Sequence, residues 1–384
     1  MGRSNKENFV GLFRGEPSDR LLWVADLTYW RDSQMIKGTL PERYEGTRGF
    51  LQLHLDLGVM PYYIYAIDDQ ESAGISVHQI GAPGKPYNGV FEVNFEGIEI
   101  INKRDGNKRE TCYYIGDQTL VQKKEYLPQS FCQAFTEYPV KSINDLSALR
   151  NLYEHCVFQE SNRGFLHLSA LWGEAGVPIA PLPRSPLSAL VVDWMGVVGF
   201  TFAAMDDPTE VRKTIDCIDR VNDQAFELVV RSPAEIFHFC DNLTAANYSS
   251  FFPTYAAEYY TRRFQELHRH GKKAAVHLDG TIRGILHQVA ATGADAAEAL
   301  TTRPVGDVAV EDLRQEAQNE SLILWGGLPA VMFTSYFTHD ELRAQVYRIR
   351  EQWEMSPRFI AGSADQMPPD TDLESIRLVS KLFS

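Results

Sequence analysis

The sequence predicts an α/β protein: a (β/α)8 TIM barrel with an antiparallel β insertion in its N-terminal half. Two patterns lead there. From Ala234 onward short apolar runs alternate with helical segments, giving roughly five strand–helix units, and the N-terminal half can supply roughly three more. Between them, Gly89–Pro128 alternates polar and apolar residues, as in Val90-Phe91-Glu92-Val93-Asn94-Phe95, around a turn at Asp105-Gly106-Asn107; that is a hairpin pattern and not a βα repeat. An open doubly wound sheet is the alternative, weakened because no GxGxxG follows the first strand. Residues 1–384 read as a single domain, with 89–128 as an insertion within it.

Taken in order, Arg20–Ala25 is a buried-strand pattern closing on Asp26, and Pro41–Leu57 is mixed helical. Met60–Ala66 is a second apolar run, and Ser142 opens a capped helix running to about Gln159. A proline-rich apolar segment, Val177–Pro186, precedes the long apolar stretch Leu187–Phe202. Asp206 or Asp207 caps a strong amphipathic helix with Pro208 in its first turn. Strands are expected at Ala234–Cys240, Lys273–Leu278, Ala296–Leu300, Leu322–Trp325 and Arg358–Gly362. Helices are expected at Tyr248–His270, Ile282–Ala291, Val310–Asn319, His339–Met355 and from about Asp372 to the end.

Composition is that of an ordinary soluble globular protein, 44% hydrophobic and 23% charged. A net charge of -14 argues against a nucleic-acid backbone as partner, which demands a basic surface. The N-terminus lacks the apolar core of a secretory signal, and no apolar run reaches the roughly eighteen residues of a membrane span. The five cysteines lack CxxC pairing and read as reduced thiols. A cytoplasmic enzyme acting on a small molecule is the expectation, with neither nucleic acid nor membrane as partner.

Barrel active sites form where strands end. Asp26 and Tyr29 follow the first strand, and Asp241-Asn242 follow Phe237-His238-Phe239-Cys240. His277 and Asp279 share one side of a strand tip, Glu298 ends the next apolar run, and Trp325-Gly326-Gly327 and Gly362-Ser363-Ala364-Asp365-Gln366 complete the set. Close carboxylates repel and raise one another's pKa, which a metal, a cationic ligand or a shared proton relieves. Asp241, His277, Asp279 and Glu298 are the candidate catalytic residues, and Asp26, Tyr29, Asn242, Trp325, Gly326 and Gly327 the candidate substrate contacts. Simpler readings stand beside these: Asp241-Asn242 capping a βα loop, Asp279 capping the next helix, and Trp325-Gly326-Gly327 forming a tight turn.

These segments resemble the uroporphyrinogen decarboxylase superfamily, which also contains corrinoid- and coenzyme-M-type methyltransferases. The resemblance covers most of the chain. It rests on Tyr138-Pro139-Val140-Lys141 with Asp145-Leu146, on Asp241-Asn242 before a long helix, and on His277-x-Asp279-Gly280. Gly293-Ala294-Asp295 with Glu298, Pro304-Val305-Gly306-Asp307 and the closing stretch Gly362–Ile376 complete it. It implies a (β/α)8 barrel. The RQAGRY segment of true uroporphyrinogen decarboxylases is missing, and Leu40-Pro41-Glu42-Arg43-Tyr44 is a faint echo of it. Nothing obvious replaces the arginines that would neutralise a porphyrinogen's carboxylates.

The methyltransferase branch is more similar. Its members carry zinc on His-x-Cys and a later Cys, and cobalamin-independent methionine synthase adds a Glu between them. His277 matches the histidine and Glu298 lies near the glutamate, whereas Asp279 and Ser363 stand at the thiolate positions and no cysteine follows Cys240. The resemblance thus implies zinc or another divalent metal on His277, Glu298 and Asp279, a harder site than its thiolate relatives. It implies metal-assisted methyl transfer, by demethylation of a small methylated substrate or transfer to a pterin or thiol acceptor. The corrinoid would reside on a partner protein, since this chain has no DxHxxG pattern. The alternatives are a decarboxylase using Asp241, Asp279 and Glu298 as acid or charge stabiliser, and a non-catalytic ligand-binding barrel.

Overall fold

The structure, a computed structural model, describes residues 2–63 and 89–384. Among these, 13 strands occur in chain order. The first, β1 (Leu22–Asp26), is followed by β2 (Phe91–Phe95), β3 (Glu99–Asp105), β4 (Lys108–Ile115), β5 (Gln118–Leu127), β6 (Cys132–Glu137) and β7 (Cys156–Glu160). Then come β8 (Ala180–Pro181), β9 (Ile236–Leu243), β10 (Lys273–Leu278), β11 (Ala296–Leu300), β12 (Ile323–Pro329) and β13 (Phe359–Gln366).

One parallel sheet of seven strands organises the molecule, in the order β1-β13-β12-β11-β10-β9-β8. Crossovers between its C-terminal strands are helical, as parallel pairing requires. Beyond the sheet's edges lies Met60–Tyr63: Met60 N–H donates to Trp23 O of β1 at 3.1 Å, and Ile179 N–H, just ahead of β8, donates to Tyr62 O at 3.0 Å. The remainder of the expected Met60–Ala66 strand lies outside the described residues.

Both sheet faces are buried, and strand periodicity sorts the residues between them. Ile236, Cys240, Ala275, Ala296, Trp325 and Ile360 share one compact core with Phe9 and Tyr62. The alternate residues Phe237, Phe239, Ala274, Val276, Ala297 and Leu324 join the larger core beneath the helices. The first set points to the inner side, the second to the helices.

The antiparallel part is larger than the expected Gly89–Pro128. β3 to β6 form a four-stranded sheet running to Glu137, with Asp105 paired to Lys108 across the expected turn. β2 pairs instead with β7, antiparallel. The helix expected to reach Gln159 therefore stops at Glu154, because Cys156–Glu160 is taken up by that pairing. The region expected as one helix over Tyr248–His270 is three pieces, Ala245–Tyr248, Phe252–Tyr255 and Ala257–Arg269, with Pro253 at the start of the second. The helix expected from Ile282 begins at Leu286, since Gly284 adopts φ +85°, outside the helical region.

As expected, Asp207 accepts from Thr209 N–H and Glu210 N–H ahead of Pro208–Arg231, and His339–Met355 is a single helix with a capping box at Thr338, whereas β9, β12 and β13 run past their expected ends to Leu243, Pro329 and Gln366. No disulfide joins the five cysteines. No helix among the described residues is long and apolar enough to cross a membrane.

β12 meets β11 with unusual closeness. Gly326 has φ +144°, and a Cβ there would lie 2.5 Å from Leu300 N and 2.8 Å from Leu300 O. Those are backbone atoms and cannot swing aside. Gly326→Ala is expected to destabilise the protein by about 3 kcal/mol, combining backbone strain with overpacking. Urea unfolding checks this; an unchanged midpoint contradicts it.

Candidate metal centre

Three adjacent strands converge on one carboxylate. His277 on β10 pairs in register with Glu298 on β11, and β9 carries His238 opposite Ala275. All three have the inward parity of Ile236, Ala275 and Ala296, so their side chains meet in the inner core. Glu298 Oε2 accepts from His277 Nδ1 at 2.6 Å and from His238 Nε2 at 3.0 Å. Tyr62 O–H reaches Glu298 Oε1 at 3.5 Å. On its far side, His238 Nδ1 lies 3.1 Å from Cys240 Sγ, which is in turn 3.2 Å from Tyr63 Oη.

The electrostatics follow from burial and mutual contact. Burial alone would raise the Glu298 carboxyl, but the charges and hydrogen bonds of His277 and His238 outweigh it and hold it at about 2. Burial likewise opposes a charge on His277, and Glu298 overcomes it, placing that imidazole at about 9. Two N–H groups sharing one carboxylate oxygen occupy the place a divalent cation would take. The ligand atoms of His238, His277 and Glu298 lie within 4.8 Å of one another. Two imidazoles and a carboxylate are a donor set suited to zinc or a similar divalent ion. The residues present fit a metal.

The other expected site residues are distributed around this centre. Asp26 ends β1 fully inside the protein, where Thr28 N–H (2.9 Å) and Thr28 O–H donate to its Oδ1, and burial raises its carboxyl to about 7. Ser363 Oγ accepts from Asp26 N–H at 3.2 Å. Asp279 lies just past β10, with its N–H on Leu243 O and its charge felt by Asp365. Asp241 has the helix-facing parity of Phe237 and Phe239. Its carboxylate accepts from Ser185 N–H at 3.1 Å and from Tyr260 O–H, so it ties β9 to the segment before the next helix and to Ala257–Arg269. Asn242 is exposed, and Tyr29 O–H donates to Ser130 O. Trp325 is completely buried against Tyr62 and Phe9. Gly326 and Gly327 face Leu300 backbone and the Ile349 side chain, so packing accounts for both.

His238, Cys240, Tyr62 and Tyr63 are the contributors that sequence reasoning passed over. The available signal was the two-residue alternation of Ile236, His238 and Cys240. Because β9 continues to Leu243, Asp241 lies within the strand and on its other face.

Strain collects at the same rim. Asn242, Ala299 and Asp365 adopt φ of 51°, 62° and 81°. Ala299 directly follows Glu298, and the strand registers shift across Asn242 and Ala299.

Comparison with known families adds one finding. The profile described as uroporphyrinogen decarboxylase (URO-D) matches residues 191–383, half of the chain. This chain belongs to the URO-D family. Members of the family are generally enzymes with a TIM-barrel-like α/β fold, in keeping with the parallel sheet. The match spans His238, His277 and Glu298 and leaves out Asp26, Tyr62 and Tyr63. No curated protein matches the chain.

Asp26 gives the site a pH signature. Its folded pKa of about 7 exceeds the ordinary 3.8, so between those values the native state binds more protons than the unfolded one. Its contribution to stability therefore falls as pH rises through that window and levels off above it. In chelator-treated protein, the stability advantage of Asp26→Asn over the parent is expected to grow by about 3 kcal/mol between pH 5 and pH 8. Chemical denaturation at both pH values checks this; an advantage independent of pH contradicts it.

Proposed function

We propose that the chain is a metal-assisted methyltransferase of the URO-D family, working with a corrinoid protein as methyl carrier. The observation that carries this reading is the convergence of His238 Nε2 and His277 Nδ1 on the Glu298 carboxylate. His238, His277 and Glu298 would hold the ion. A divalent metal there supplies Lewis-acid polarisation of a substrate oxygen or sulfur as its methyl group leaves.

The chain's own residues do the rest. Glu298 stays ionised inside the protein and fixes the orientation of both imidazoles. Asp26, with its carboxyl at about 7, retains a proton near neutrality that can pass to the heteroatom losing its methyl. The surrounding Trp325, Tyr62 and Val24 keep bulk water away from the reacting atoms. We also propose that Met60–Tyr63 serves as the remaining strand of a closed eight-stranded barrel, on the strength of its hydrogen bonds toward both sheet edges.

Asp26 favours a second reading. A buried carboxylic acid still protonated near pH 7 is also what a decarboxylase uses to reprotonate its product, so a carboxy-lyase acting on a carboxylated substrate is the alternative.

Metal analysis of protein purified without chelator separates the two. The expected result is about one divalent ion per chain, retained in Asp241→Asn and lost in His277→Ala and His238→Ala. Metal-free protein that releases CO2 from a carboxylated tetrapyrrole at full rate supports the carboxy-lyase and contradicts the methyltransferase.

A further inference from the structure

Cys240 stands beside the centre without entering it. Its sulfur lies 3.1 Å from His238 Nδ1, while His238 Nε2 lies 3.0 Å from Glu298 Oε2. The two ring nitrogens are on opposite flanks of the imidazole, so the ring stands between the sulfur and the carboxylate. A metal sharing Nε2 with Glu298 and His277 is therefore out of reach of Sγ. Around the thiol, Tyr63 Oη lies at 3.2 Å and the His238 carbonyl oxygen at 3.8 Å. A ring that gives its Nε2 lone pair to a metal carries its proton on Nδ1, and Sγ at 3.1 Å is placed to accept that N–H.

We propose that Cys240 is a positioning residue that selects the Nδ1–H form of His238 and thereby presents the Nε2 lone pair to a divalent metal. The inference rests on the metal-dependent reading given above. A ligand imidazole commonly donates its second N–H to a carboxylate or carbonyl, which strengthens its bond to the metal. Sulfur is a weaker acceptor. It fixes the ring with less transfer of electron density, which leaves the ion a stronger Lewis acid toward the substrate. Tyr63 holds the sulfur in place from Met60–Tyr63, so the N-terminal half of the chain contributes to a centre whose ligands all come from the C-terminal half.

Cobalt(II) titration of the full-length parent, Cys240→Ala and Cys240→Ser tests this, using affinity from competition with a chelator and the absorption spectrum of the bound ion. The parent is expected to bind Co(II) without a thiolate-to-cobalt charge-transfer band. Cys240→Ala is expected to bind roughly 10- to 100-fold more weakly, and Cys240→Ser to recover most of the loss, because its hydroxyl also accepts from Nδ1–H. Imidazole nitrogen NMR of the zinc-loaded proteins supplies a structural readout: the Nδ1–H resonance of His238 is displaced in Cys240→Ala relative to the parent. Cys240→Val, closer in bulk, replaces Cys240→Ala if the latter does not fold. Equal affinities in parent and variant, or a charge-transfer band that vanishes with the thiol, overturn the positioning role alone. A folded parent that binds no Co(II) overturns the metal-dependent reading together with it.

Discussion

Glu298 keeps its charge in the protein interior because two imidazoles answer it. An isolated carboxylate in that position would be driven to its neutral form. Each histidine stays near the carboxylate for the reciprocal reason, so the three groups stabilise one another and none holds its state alone. The arrangement follows from strand register, since His277 and Glu298 are a register pair on the parallel strands β10 and β11. The small inward residues Ala275 and Ala296, beside His238 on the neighbouring strand, leave room for the larger polar side chains. Two protons hold the centre together without an ion, and a doubly charged cation matches that charge.

The strained rim is a consequence of placing polar groups at strand ends. At Ala299 the chain enters a left-handed conformation just after Glu298, and β11 resumes pairing with β12 only at Leu300 opposite Gly326. The absence of a Cβ at Gly326 lets the two backbones close over this irregularity. Asn242 does the same on β9, between the inward Cys240 and the renewed pairing of Leu243 with Leu278. Such conformations cost free energy, and they persist here because the cores on both faces hold the strands in place.

Much of this was legible in the sequence where local pattern and tertiary role coincide. Lys273–Leu278 and Ala296–Leu300 are strands with the expected limits, because short apolar runs ending abruptly in a polar residue have few other folded solutions. His277 and Glu298 stand out for the same reason, as polar residues where the pattern demands apolar ones. His238 is obscured by its setting: it is flanked by Phe237 and Phe239, and the more conspicuous Asp241 lies on the strand's other face. Long-range pairing was also illegible. Nothing near Cys156 announces that β7 pairs with β2 some sixty residues earlier. The helix Asn5–Phe13 does carry a local signature, the Ser4–Glu7 capping box.

The central claim is that His238, His277 and Glu298 bind one divalent ion together. Anomalous diffraction from crystals grown with zinc tests it most directly, with data on both sides of the zinc absorption edge. The account predicts a single strong peak about 2.0–2.2 Å from His238 Nε2, His277 Nδ1 and a Glu298 oxygen. Fully ordered side chains with no peak at this position, at zinc concentrations that saturate ordinary zinc sites, would contradict it.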